Sequence, residues 1–158
     1  MLSSALVALV VLPGSIVIQA IAIAVTVRFV AWLLSVGYAG RSFWRNVSVS
    51  AGVMVILLVA LLMQVGEWAL AFVLCGALPD FATAFYHSAV NFTTLGYGDI
   101  VMAAGWRLLG PLEAANGVLM FGLSASAMFA VTSRLLDLRL MGPHEAALLE
   151  RSHPPRNP

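Results

Sequence analysis

The sequence predicts an all-α membrane protein: three apolar helices long enough to cross a bilayer, with a short re-entrant helix between the second and third. Three observations carry that expectation. Hydrophobic residues make up 61% of the chain and charged residues only 9%, whereas a soluble domain is about 25% charged. A chain of 158 residues cannot hide that much apolar surface in a core of its own, so its solvent is lipid. The apolar residues fall into three blocks, each exceeding the roughly 20 residues that cover the hydrocarbon. Between the second and third lies residues 80–93, apolar but too short to cross, leading into a run with glycine at alternate positions.

The first block runs from about Leu2 to Val36 and is interrupted by Pro13-Gly14. Proline there either kinks the helix or begins it. No Lys or Arg precedes the block, and it continues well past the Ile18-Gln19-Ala20 that loosely resembles a cleavage site, so it reads as a retained membrane helix. The second block extends from about Val47 to Leu78 with the single charge Glu67, and the third from near Arg107 to about Leu135, interrupted only by Glu113. In the segment between them, Pro79-Asp80 makes a helix start with Asp80 as N-cap. The organisation expected is an N-terminal transmembrane helix over 1–38, a loop over 39–46, a pore-like unit over 47–137 and a short, partly disordered tail over 138–158. Within that unit the re-entrant helix takes 80–93 and the glycine-bearing run 94–99. Glu145 to Glu150 could add a helical turn or two.

Orientation follows from arginine, the only basic residue type besides histidine. Arg41 and Arg45 lie between the first and second blocks; Arg134, Arg139, Arg151 and Arg156 end or follow the third; Arg107 stands alone on the other side. The excess of positive charge on the inner side places the first loop and the C-terminus in the cytoplasm, with the N-terminus and the 94–99 run facing out.

Several function classes are excluded. Cys75 is the only cysteine, which rules out an intrachain disulfide and a cysteine metal site. No nucleophile elbow, phosphate loop or metal-ligand cluster appears, so neither an enzyme nor a bound cofactor is expected. A basic patch with interleaved aromatics is missing, which disfavours nucleic acid as a partner. A voltage sensor needs arginines at every third position of one helix, and the first block offers only Arg28. The tail is too short for a cytoplasmic ligand-binding domain in cis.

The run Thr93-Thr94-Leu95-Gly96-Tyr97-Gly98-Asp99 suits the capture of a dehydrated potassium ion. Such an ion needs several oxygen ligands, and successive carbonyls point one way only if dihedrals alternate between ordinary and mirror-image regions. Glycine enters the latter cheaply, and Gly96 and Gly98 supply the alternation. The Thr94 hydroxyl adds an oxygen at the inner end, and Tyr97 can brace the strand from behind. Four chains around an axis would stack these oxygens into rings.

On these residues the chain resembles bacterial potassium channels of the two-helix pore-domain class, with one extra helix in front. The resemblance covers roughly Val47 to Leu136. It implies a homotetramer in the bacterial inner membrane, with lipid and itself as partners. Potassium would be the permeant ion, held by carbonyls of Thr94, Leu95, Gly96 and Tyr97 with Gly98 at the outer end; carbonyl rings of this kind are the mechanism known for potassium channels themselves. Tyr86 and His87 stand where such channels often carry a Trp pair, and Val90 stands where some carry a carboxylate. Asp99 therefore lacks that acidic partner. Leu95 replaces the commoner valine, with only its carbonyl engaged. Gly117 matches the inner-helix hinge and Gly122 a second small position.

Two readings of Gly117 stand open, a hinge that bends without touching the filter and a close helix contact; Gly122 reads as packing. Ser124 to Ala127 suit the lining of a wide cavity, and Phe129 and Thr132 a constriction. Glu67 and Glu113 are intramembrane carboxylates, either struts for the filter scaffold or proton sensors. A buried His87 is expected to donate to backbone or to Tyr97. Asp80 and Asp99 could form acidic rings at the outer mouth. The rivals to a potassium channel are a weakly selective cation channel, a small proton-coupled transporter using Glu67 or Glu113, and a nonconducting scaffold.

Overall fold

The computed structural model describes residues 2–39 and 42–152, with side chains over 4–39 and 42–139. Its helices are α1 (Leu2–Ser35), α2 (Phe43–Leu74), α3 (Phe81–Phe92) and α4 (Leu109–Ser152), and no strand occurs among the described residues. Three stretches are long and apolar enough to span a bilayer: Ser4–Ser35, Phe43–Leu74 and Leu109–Arg139. The fold is that of an all-α, multi-pass membrane protein.

Helix α1 runs unbroken across Pro13, settling the choice left by the sequence. In a water-free surrounding, proline is tolerated inside a helix because neighbouring groups compensate for the missing N–H. Its buried residues are Ser4, Ala8, Val11, Ser15, Gln19, Ala22, Thr26, Val30 and Leu33. Steps of three and four place them on one straight seam. Most are small, which lets α1 lie close to α2 and α4, both of which it touches.

Two clusters hold the helices together. One gathers Trp68, Phe72, Phe92, Leu109 and Met120 near α3, and the other gathers Val30, Leu33, Val53, Leu57, Val131 and Leu135 at the opposite end. Helix α3 sits between α2 and α4. Asp80 caps it: the Thr83 N–H donates to Asp80 Oδ1 at 2.9 Å and the Thr83 hydroxyl donates to Oδ2 at 2.7 Å. These bonds, the backbone one first, hold the Asp80 carboxyl below the usual carboxylate range.

Two boundaries differ from expectation. Helix α2 begins at Phe43, so half of the expected 39–46 loop, residues 43–46, is absorbed into it. Helix α4 continues to Ser152. The stretch expected as a partly disordered tail from 138 is thus helical up to that residue, and 153–158 lie outside the described residues. Ala146, Ala147, Leu148, Leu149 and Glu150 are strong helix formers, which favours continuation over disorder.

Candidate ion-conduction segment

The end of α3 passes directly into the 94–99 run. Thr94 has φ 61°, Gly96 φ 59° and Gly98 φ 74°. Mirror-image backbone therefore recurs at every second residue, three times in succession. The glycines were expected there. Thr94 was not: it is the only non-glycine residue with positive φ among those described, and a β-branched side chain in that region costs about 1–3 kcal/mol. Strain of this kind persists only where the surroundings impose it.

The N–H groups at the start of the run are committed backward. Thr94 N donates to Asn91 O at 2.8 Å, and Leu95 N and Gly96 N donate to Val90 O at 2.9 and 3.3 Å. They tie the run to the last turn of α3, whose C-terminal carbonyls need such donors. No backbone N–H among the described residues donates to the carbonyls of Thr94, Leu95, Gly96 or Tyr97. Those oxygens remain available to a ligand. Residues 93–99 are exposed throughout.

At the far end of the run, the Tyr86 hydroxyl donates to Asp99 Oδ2 at 2.8 Å, and Ile100 N donates to Oδ1 at 3.1 Å. Asp99, without an acidic partner, has a phenol instead. That bond, followed by desolvation, raises the Tyr86 pKa. His87 Nε2 lies 2.9 Å from Asn91 Nδ2, so its partner is an α3 side chain rather than Tyr97 or the backbone. Burial lowers the His87 pKa, with Asp99 opposing. The Tyr97 side chain is 67% exposed and its hydroxyl bonds to no described residue.

Residues 54–134 match a family described as an ion channel, slightly more than half of the 158 residues. The chain belongs to the two-helix ion-channel family. Neither the curated proteins nor the solved structures yield a match. The channel carries α1 as an additional N-terminal helix lying outside the matched stretch.

The remaining candidates divide between two sites. Glu113 is fully buried and accepts a short hydrogen bond from the Ser88 hydroxyl of α3, which also lies 2.8 Å from Val65 O. Ser88 thus joins α2, α3 and α4 six residues before Thr94. Glu67 is elsewhere. Its Oε2 accepts from Ser15 of α1 at 2.9 Å, because two residues along α2 turn it about 200° away from the Val65 face that meets α3. Glu67 therefore meets α1, and of the two carboxylates only Glu113 contacts α3.

A Cβ on Gly117 would stand 2.0 Å from the Phe92 carbonyl oxygen and 2.9 Å from its carbon. Gly117 is a contact point against the backbone end of α3. A Cβ on Gly122 would meet nothing within 4 Å, so packing there has no partner among the described residues. Ser124 is buried and accepts from Gln19 of α1 at 3.0 Å, which turns it away from the cavity role expected of it. Sequence reasoning passed over Gln19, Gln64 and Ser88. The available signal was the presence of amides within apolar spans, where a polar group seeks a partner.

Proposed function

We propose that this channel conducts potassium passively as a fourfold assembly, with the 94–99 run of each chain forming one wall of the filter. The observation that carries the reading is the triple alternation at Thr94, Gly96 and Gly98 together with the uncommitted carbonyls between them. Backbone at membrane depth is tolerated only when buried in protein or facing water. Residues 93–99 are exposed in one chain, which supports further chains closing around them. Carbonyls of Thr94, Leu95, Gly96 and Tyr97, with the Thr94 hydroxyl, would then replace the ion's hydration shell. Helix α3 directs its partially negative C-terminus at the same place. The backward-committed N–H groups hold the row without using its oxygens.

Arginine placement supports a run that opens outward in the bacterial inner membrane, with the C-terminus in the cytoplasm. The transporter reading is weakened because Glu113 and Glu67 serve different contacts, Ser88 and Ser15. The test is electrical. Purified protein in planar bilayers should give reversal potentials near the potassium equilibrium value in mixed sodium and potassium. Tyr97→Asp should shift them toward sodium while current persists. Unselective wild-type current, or a conducting species that native mass measurement finds to be a monomer, would refute the reading.

A further inference from the structure

We infer that α1 is a positioning element for the pore-lining helix α4, acting through a relay in which Gln64 donates to Gln19 and Gln19 donates to Ser124. The inference rests on the channel reading above only in taking α4 as the helix that moves on opening.

Gln64 Nε2 donates to Gln19 Oε1 at 3.0 Å, and Gln19 Nε2 donates to Ser124 Oγ at 3.0 Å. The three side chains are 0%, 1% and 8% exposed. Both halves of the Gln19 amide are used, the carbonyl by α2 and the amino group by α4. Such an arrangement fixes the amide's orientation and registers three helices at one level. A buried amide has no water to fall back on, so moving any of the three helices leaves a polar group unsatisfied.

Helix α4 is thereby held at two levels. At Gly117 it lies against the Phe92 carbonyl, and at Ser124, two turns on, it is bonded to α1. Any swing or rotation of α4 beyond Gly117 must break the bond from Gln19. The rest of the α1 seam near this level, Ser15 and Ala22, is too short to replace it. Gln19 also lies outside residues 54–134, so the restraint comes from the added helix and not from the two-helix channel unit.

Single-channel recordings of Gln19→Leu and Ser124→Ala test this. Taking this structure as the closed conformation, each should raise open probability by at least about threefold, the scale of one interhelical hydrogen bond in a membrane, with reversal potential unchanged. The double variant should match Gln19→Leu alone, because both substitutions remove the same bond to α4. An isosteric pair at position 124 adds a readout that lost packing would not give. Ser124→Thr keeps the hydroxyl that accepts from Gln19, so its open probability should stay near that of wild type, whereas Ser124→Val, of the same shape without the hydroxyl, should match Ser124→Ala.

Open probabilities within about twofold of wild type for Gln19→Leu and Ser124→Ala, or Ser124→Thr and Ser124→Val channels that gate alike, would overturn the relay. If Gln19→Leu does not assemble, Ser124→Ala and the Ser124→Thr and Ser124→Val pair decide. The relay is judged on the gating of whatever cation current the wild type carries. Loss of potassium selectivity in the wild type would sink the filter reading without deciding this one.

Discussion

Gly14 of α1 is the notch that receives Glu67 of α2. A Cβ at position 14 would stand 1.8 Å from Glu67 Oε1 and 2.9 Å from Cδ, while the next residue, Ser15, donates to Oε2 at 2.9 Å. The Pro13-Gly14 pair, which reads as an interruption in sequence, is thus the place where a membrane carboxylate docks.

Gly14→Ala should therefore destabilise the α1–α2 contact by about 1–3 kcal/mol, the usual cost of overpacking a tight site. Glu67→Ala in the same chain should remove most of that penalty, since the side chain in the way is gone, and the coupling should fall in the range of about 0.5–3 kcal/mol typical of touching residues. Thermal unfolding in detergent measures all four species. A Gly14→Ala protein as stable as wild type would remove the notch from the argument.

Gly117→Ala is predicted to reach the 94–99 run. The added methyl would meet Phe92 O at 2.0 Å, and that atom belongs to backbone two residues before Thr94. Backbone gives way less easily than a side-chain tip, so α3 must shift. The expected outcome is a loss of about 1–3 kcal/mol in stability together with an altered potassium-to-sodium permeability ratio. Of the two readings of Gly117, the contact favours close packing over the hinge. Gly122→Ala is the control within the chain, because nothing lies within 4 Å of the added methyl. Unaltered selectivity in Gly117→Ala would show that the contact at Phe92 is not transmitted to residue 94.

Much of this architecture was legible because lipid imposes simple rules. Span lengths, the N-cap at Asp80 and the positions of Gly96 and Gly98 follow from local chemistry that needs no partner. The role of α1 was not legible for the converse reason. Its few mid-span polar residues, Ser15, Gln19 and Thr26, recur at helical spacing on one face, but they do not say which neighbours that face meets, and the partners of the seam emerge only once α2 and α4 are in place. Glu67 and Glu113 look alike in sequence. They part company because helical phase sends one toward α1 and the other toward Ser88. Thr94 was read for its hydroxyl, and its mirror-image backbone was missed because threonine carries no propensity for that region.

Tyr86→Phe should loosen the Asp99 end of the 94–99 run without disturbing α3. It removes only the hydroxyl that donates to Asp99 Oδ2 at 2.8 Å, and leaves the ring. Asp99 keeps the Ile100 N–H at 3.1 Å, a contact between adjacent residues that does not anchor the run to α3. Hydrogen exchange at the amides of Gly98 to Val101 should quicken by about fivefold to tenfold, the loss of one hydrogen bond of about 1–1.5 kcal/mol. Exchange within Phe81–Phe92 should stay as it is. Equal protection in both proteins would mean that the phenol–carboxylate bond does not hold the run.

Acidification should weaken the α3 region through His87. Burial holds its pKa below the ordinary 6.5, so the folded state favours the neutral ring and the unfolded chain takes up the proton first. Stability is then fully present above the ordinary value and declines as pH falls through it, until the folded ring also titrates. The contacts agree with that sign. The imidazole packs edge-on against the Phe72 ring at 5.6 Å and faces the Asn91 amide at 2.9 Å, where a charged ring would lose its acceptor. Lowering pH from about 8 to about 5, the interval in which histidine changes charge, should lower the unfolding temperature of wild type. His87→Gln keeps an amide that can meet Asn91 and has no proton to take up, so its unfolding temperature should fall less over the same interval. Equal slopes for the two proteins would assign the acid sensitivity to another group.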